Sequence, residues 1–186
     1  MSLLAIYPDS AEGPPEVVTE HAAIATALEK IGVQFEQWQT EQPLATDADQ
    51  ASVMAAYQES IDRLNAQYGF QSVDVVALRP DHPDRAAFRQ KFLAEHTHAD
   101  FEVRFFVDGS GLFYLHVGDK VYLVRCEKGD LISVPANTTH WFDMGANPDF
   151  KCIRLFTTEE GWVGAFTGSD IASRFPDFDQ LAAQYP

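Results

Sequence analysis

The stretch EHTHADFEVR at residues 95–104 decides the fold. His96, His98, Glu102 and Arg104 in this stretch share even numbering. On an extended strand, side chains of one parity point to the same side. If that side is the interior of a β-barrel, imidazoles, a carboxylate and a guanidinium converge there, and burying such groups unpaired is costly. A divalent cation removes that cost, so the stretch predicts a metal site inside a barrel.

A further ligand is predicted at His140, on a later strand. Neutral imidazoles and a single carboxylate leave a net charge of about +1 around a divalent ion. This mixed nitrogen and oxygen set suits iron, nickel, manganese or cobalt, and suits zinc less distinctively. Such a set leaves part of an octahedral coordination sphere open, which is typical of catalytic sites. Taken singly, each residue has a structural alternative: a His-x-His pair can lie on the surface or in the core, and Glu102 can be solvated.

Short β-type runs surround this stretch and continue to about residue 167. The predicted strands are 101–107, 112–117, 120–127, 130–134, 140–142 and 151–156. Gly-containing or Asn-Pro turns are predicted between them, at 108–111, 118–119, 128–130 and 147–148. Regular short strands with turn signals indicate a sandwich or barrel.

The residues before 95 mix helical and β-type patterns. Strands are predicted at 3–7, 33–38 and 72–78, a loop at 10–15, and helices at 20–31, 46–68 and 84–93. In the second helix Thr46 and Asp49 resemble a capping box, and Gly69 supplies its end. A short capped helix is predicted at 169–175, followed by irregular structure.

No flexible linker divides the chain, so one domain is predicted over residues 1–186. Within it, residues 1–94 form an α/β N-terminal layer, 95–168 the metal-binding barrel and 169–186 a C-terminal tail.

The composition limits the partners and the compartment. A formal net charge of −15 disfavours nucleic acid and anionic membranes as partners. Cys126 and Cys152 are too few for a disulfide framework and are predicted to be free core thiols. Neither a signal peptide nor a membrane-spanning run is evident, so a cytoplasmic protein is expected. The acidic surface favours a monomer.

Two motifs in the chain resemble those of the cupin superfamily. The spacing His96-x-His98-x₃-Glu102-x₆-Gly109 matches the first, and Gly129-x₅-Pro135 followed by His140 matches most of the second. The departures from the superfamily pattern are Gln90, Asn137 and Met144. None of them replaces a candidate ligand.

Longer runs narrow the resemblance to the acireductone dioxygenases. The similar segments are 92–98, 102–107, 130–136, 140–145, 160–162 and 166–168, with weaker similarity at 35–38 and 56–57. The resemblance implies a mainly β cupin fold, a double-stranded β-helix or jelly-roll barrel with short helices. It also implies an enzyme of methionine salvage that acts on the acireductone 1,2-dihydroxy-3-keto-5-methylthiopentene with O₂.

The same resemblance implies a single Fe²⁺ or Ni²⁺ and no organic cofactor. The iron form is expected to give 4-methylthio-2-oxobutanoate and formate. The nickel form is expected to give 3-methylthiopropanoate, formate and carbon monoxide. The sequence does not distinguish between the two metals, because both use the same ligands.

Further site residues are predicted around the metal. Arg104 is expected to favour a dianionic substrate, although it can instead pair with Asp100 or another carboxylate. Arg154 is a second candidate anion contact, and Glu95 is expected to orient an imidazole or assist metal uptake. The residues predicted to line the pocket and contact the methylthio group are Phe92, Phe105, Phe142 and Trp162. The alternative for each of them is ordinary packing in the core. The histidines outside the motifs, His21, His82 and His116, are predicted to be surface or structural residues.

Two other functions fit the same ligand set. The first is a different cupin oxygenase or isomerase with another small substrate. The second is a non-catalytic cupin that binds a small molecule or stores metal, against which the complete ligand set with a nearby arginine argues.

Overall fold

The computed structural model describes residues 1–38, 44–45 and 47–186. The strands in these ranges are β1 (Leu3–Pro8), β2 (Glu16–Val18), β3 (Gln34–Gln37), β4 (Ser72–Leu78), β5 (His96–Thr97), β6 (Glu102–Val117), β7 (Lys120–Glu127), β8 (Asp130–Val134), β9 (Thr139–Asp143), β10 (Phe150–Phe156) and β11 (Ala165–Phe166). The helices are α1 (His21–Glu29), α2 (Gln50–Ala56), α3 (Gln58–Tyr68), α4 (Arg85–Phe92) and α5 (Phe178–Gln184), and a 3-10 helix covers Ile171–Arg174.

The strands form two antiparallel sheets that share β6. One sheet has the order β11-β5-β9-β6-β7-β1-β2. In the other, the first part of β6 pairs with β8 and β10, which in turn pair with β3 and β4. The chain therefore passes from one sheet to the other within β6. This is the mainly β architecture with short helices that the sequence predicts.

A turn was predicted at residues 108–111, and this prediction is wrong. The backbone instead continues as a single strand of 16 residues, Glu102–Val117. The pairing of β10 with β6 shifts register between Lys151 and Cys152, which marks a bulge. Gly109, at φ +68°, lies beside this bulge. A glycine in the left-handed region thus bends a continuous strand here, as at many bulges.

Gly109→Ala is expected to destabilise the fold by about 3 kcal/mol, which urea unfolding measures. The reason is twofold: the positive φ strains alanine, and a Cβ at this position would lie 1.8 Å from the Asp149 carbonyl oxygen. Gly118→Ala is the matched control, because Gly118 has φ +64° but no atom within 4 Å of the added Cβ. It should cost only about 1 kcal/mol. Equal losses in the two variants would contradict the proposed clash.

The helical predictions need two corrections, and one predicted cap is observed. The helix predicted at 46–68 is divided at Tyr57, whose ring packs edge-on against Phe105. Asp49 does cap α2, accepting from Ser52 N at 2.8 Å, whereas Thr46 lies outside the described residues. The helix predicted at 169–175 is a 3-10 helix over Ile171–Arg174.

The irregular tail predicted after residue 175 is in fact the helix α5. It begins with a capping box in which the Asp177 side chain accepts from Gln180 N and the Gln180 side chain accepts from Asp177 N. The short strands β2, β5 and β11 are also absent from the sequence-based prediction.

The core consists of three hydrophobic clusters. The first lies in the barrel and contains Phe106, Phe113 and Phe142. In the second, α2 and α3 pack on the outer face of one sheet through Val53 and Ile61. The third covers the other sheet with α5 and the 3-10 helix. Strands from before residue 95 are hydrogen-bonded into both sheets, and the division at 94 and 168 stays a prediction.

Both cysteines are free and fully buried, as predicted. Burial raises the pKa of the Cys152 thiol to about 12 and raises the pKa of Cys126 well above its usual value. Within the described residues, no helix combines the length and the apolar character that crossing a membrane requires.

Candidate metal centre

Four buried side chains converge on one point: His96, His98, Glu102 and His140. Their candidate ligand atoms all lie within 4.8 Å of one another. His96 and His140 face each other across the β5–β9 pair, with ring centroids 4.5 Å apart. The sequence-predicted ligand set is thus brought together in space.

The stretch 95–104 is not the single strand that the parity argument assumed. The chain forms β5 at His96–Thr97, leaves the sheet at residues 98–101 and begins β6 at Glu102. His98 therefore reaches the cluster from a loop. Parity still holds within β6, where Glu102 and Arg104 point to the same side, but it does not account for the position of His98.

Each of the three imidazoles is held through Nδ1 by a backbone carbonyl. The pairs are His96–Ala94 at 2.8 Å, His98–Val163 at 2.9 Å and His140–Thr138 at 2.7 Å. Because a carbonyl oxygen only accepts, Nδ1 must carry the hydrogen and donate. In the neutral ring Nε2 then presents a lone pair. All three rings are therefore set to bind a metal through Nε2.

The Glu102 carboxylate completes the cluster as an anion. Its Oε2 lies 3.1 Å from His98 Nε2 and 3.0 Å from His140 Nε2. Burial alone would raise the pKa of Glu102, but the charge of Arg104 and the histidine hydrogen bonds hold it well below its usual value. Lone pairs on nitrogen and oxygen thus face one another, so a proton or a cation must lie between them. A divalent cation fits this donor set.

The histidines differ in how readily they take a proton. Burial and the neighbouring His140 lower the pKa of His96 to about 4, so this ring is neutral at pH 7. For His98, burial alone would lower the pKa, but the bond to Glu102 outweighs it and the net change is upward. The pKa of His98 is therefore raised by the same carboxylate that makes the site suitable for a cation.

A cavity of about 410 Å³ opens beside the cluster. The lining residues are Lys91, Phe92, His96, His98, Glu102, Arg104, Arg154, Phe156, Trp162, Val163, Gly164 and Phe166. Its volume suits a small organic molecule. The side facing the cluster is polar, and the rest is largely aromatic or aliphatic.

Arg104 lines the cavity beside the cluster. Its Nε is 2.5 Å from Glu102 Oε1, and its guanidinium lies over the Phe142 ring at 4.6 Å. The alternative pairing with Asp100 is not observed; Glu102 is the carboxylate that Arg104 contacts. The residue is 6% exposed, so its charge acts in a region of low dielectric constant.

The other predicted substrate contacts have different positions. Phe92 lines the cavity, and Trp162 lies at its mouth with 60% of its surface exposed. Arg154 lines the cavity but is paired with Asp74 at 2.6 and 3.0 Å. The structure does not bring Phe105 to the cavity, because that ring packs against Trp38 and Tyr57 on the other side of the sheet.

Two more predicted residues do not line the cavity. Phe142 is 1% exposed and lies beneath the Arg104 guanidinium, so it supports the site from the core. The Glu95 carboxylate is directed away from the cluster, with His116 Nδ1 at 2.9 Å and the Thr167 hydroxyl donating to it at 2.7 Å. Neither His21 nor His82 belongs to the cluster.

Of the segment 157–167, which covers one side of the cavity, sequence reasoning identified Trp162 and missed the other contacts. The Asp100 carboxylate accepts from the backbone N–H groups of Thr157 at 2.6 Å and Thr158 at 3.0 Å. Gly161 and Gly164 allow the segment to approach closely: an added Cβ would lie 2.6 Å from Asp100 Oδ2 or 3.2 Å from His96 Cδ2. Through Val163 the same segment orients His98.

Comparisons with known proteins agree with one another. Residues 4–164 match the ARD/ARD′ family. Acireductone dioxygenase of Methylococcus capsulatus (strain Bath) is 58% identical over 185 residues, covering 100% of both chains. The Aquifex aeolicus acireductone dioxygenase is 56% identical, covering 97% of this chain and 98% of its own. A solved acireductone dioxygenase from Bacillus anthracis, with a cadmium ion in its active centre, has a TM-score of 0.78 and 30% identity, covering 89% of this chain and 98% of its own.

Proposed function

The chain belongs to the ARD/ARD′ family, and we propose that it cleaves the acireductone 1,2-dihydroxy-3-keto-5-methylthiopentene with O₂ in methionine salvage. The resemblance drawn from the sequence motifs is confirmed, as is the cupin type of fold. Family membership and the buried histidine–glutamate cluster make the protein a metal-dependent dioxygenase. The substrate and the products belong to the proposal.

The proposed ligands of the metal are His96, His98, Glu102 and His140. The observation that carries this assignment is the orientation of the imidazoles, because every Nδ1 is bonded to a carbonyl and every Nε2 is left for the ion. The proposed cofactor is Fe²⁺ or Ni²⁺, one per chain. When bound, such an ion supplies Lewis acidity and a point of assembly for the reactants.

The cavity residues have two proposed tasks. Arg104 places a fixed positive charge beside the substrate and so favours the deprotonated enediol, which is the electron-rich form that reacts with O₂. Phe92, Phe156 and Trp162 surround the remaining space and exclude water from it. The methylthio group fits this aromatic part of the cavity, since sulfur packs well on aromatic rings.

The identity of the metal is proposed to decide the products. With iron we expect 4-methylthio-2-oxobutanoate and formate; with nickel we expect 3-methylthiopropanoate, formate and carbon monoxide. Both ions prefer nitrogen and oxygen donors of this kind, so either one can bind to the same four ligands. The metal can therefore differ while the protein stays the same.

Separate reconstitution of the metal-free protein with Fe²⁺ and Ni²⁺ tests the proposal. Both forms should take up O₂ when the acireductone is added, and carbon monoxide should appear only with nickel. Oxygen electrode traces and product chromatography provide the measurements, with the metal-free protein as control. Oxygen uptake no faster than this control in both forms would exclude the proposed reaction and favour a non-catalytic cupin.

We further propose a single domain over residues 1–186 that acts as a monomer in the cytoplasm. The helices α2, α3 and α5 already cover the outer faces of both sheets, and the net charge of −15 opposes self-association. Sedimentation of the metal-loaded protein measures the oligomeric state.

A further inference from the structure

The cavity is positively charged in a strongly acidic protein. Three of its lining side chains are cationic, namely Lys91, Arg104 and Arg154, against the single carboxylate of Glu102. The chain as a whole carries −15. An anion that approaches from solution is therefore repelled by most of the surface, whereas this cavity attracts it.

Two of the three cations are already neutralised by close partners. Arg104 lies beside Glu102 at 2.5 Å, and Arg154 forms two bonds to Asp74. Their charge is largely compensated for an anion that is still outside the cavity. Among the cationic side chains that line the cavity, the third therefore has the least compensated charge at the mouth.

That cation is Lys91, in the last turn of α4. It is exposed, and its Nζ lies 5.2 Å from the centroid of the Phe88 ring. Among the described residues, none places a carboxylate within 4.0 Å of its ammonium group to form an ion pair. Its full charge thus acts on the solvent side of the cavity.

We propose that Lys91 attracts the anionic substrate to the cavity and so sets the preference of the enzyme for an anion. The identity of this anion as the deprotonated acireductone rests on the proposed function. Lys91 acts through the field at the mouth, so it is a specificity-determining residue and not a catalytic one. Steering of this kind raises the local concentration of the ligand and weakens as salt screens the charges.

Reversing the charge tests the proposal in the metal-loaded enzyme. Lys91→Glu should lower kcat/KM for acireductone about 10-fold at roughly 10 mM ionic strength and by less than about 2-fold at roughly 500 mM. The value of kcat should change little. Lys91→Gln should show a smaller loss, about 3-fold at the lower salt concentration.

Lys120→Glu is the matched control. Lys120 is also an exposed lysine, and it lies at the start of β7 and does not line the cavity. Both variants change the net charge of the chain by the same amount. A similar loss in the two variants would overturn the proposal, because overall charge would then explain it. A loss at Lys91 that persists at high salt would also overturn it, because packing and not charge would be responsible.

A binding measurement separates this proposal from the proposed function. Oxalate, a small dianion that chelates divalent metals, can be titrated into the nickel-loaded protein. Should the wild-type protein fail to consume acireductone, the proposed function fails, yet the oxalate titration still decides the role of Lys91. Weaker binding to Lys91→Glu than to Lys120→Glu at low salt supports it, and equal affinity for the two variants refutes it.

Discussion

His140→Ala is expected to abolish acireductone turnover and to remove most of the bound metal. The variant deletes one of the three Nε2 donors and leaves the buried Glu102 carboxylate with His98 as its only histidine partner. Turnover should fall by more than about 10³-fold, since even the hydrogen-bond partners of metal ligands typically contribute 10–100-fold. Metal content per chain by emission spectrometry and O₂ uptake give the two readouts.

His82→Ala provides the control for this experiment. His82 lies just before α4 and outside the cluster, so its loss should leave metal content and turnover unchanged. His96→Ala should behave as His140→Ala does, because these two rings face each other across the β5–β9 pair. Full metal occupancy together with wild-type turnover in both variants would refute the ligand assignment.

Arg104→Met is expected to reduce turnover by about 10²-fold to 10³-fold while most of the metal is retained. Methionine is neutral and of similar length, so it removes the fixed charge without opening a large space over Phe142. Arg104→Lys keeps the charge but loses the planar group over the aromatic rings, and should recover part of the activity. Steady-state kinetics and metal analysis of the same preparations separate the two effects.

Loss of metal from Arg104→Met in proportion to the loss of turnover would contradict a role toward substrate. It would assign Arg104 to the structural support of Glu102, whose carboxylate it contacts at 2.5 Å.

The clustering of the candidate ligands was largely predictable from the sequence because much of its information is local. His96, His98 and Glu102 lie within seven residues of one another, and the strand period places Glu102 and Arg104 on one side. The path of the backbone between them was not predictable, because the break at residues 98–101 depends on distant partners. Asp100 is held there by Thr157 and Thr158, more than fifty residues later in the chain.

The other differences between the prediction and the structure have similar physical causes. The strands β5 and β11 have two residues each, too few for any periodicity to appear. Glu95 was placed near the metal because it adjoins His96, yet opposite parity directs its carboxylate to His116. The helix α5 did carry a local signal in the sequence, the capping box between Asp177 and Gln180.

The burial of the two thiols affects how well the enzyme resists oxidation. Reactive oxygen species attack the thiolate form of cysteine, and a thiol kept protonated by burial resists this oxidation. Cys126 and Cys152 are the only cysteines in the chain, and both are held in that state. The folded protein therefore presents no reactive sulfhydryl, and formation of a sulfenic acid or of an intermolecular disulfide at either cysteine is disfavoured.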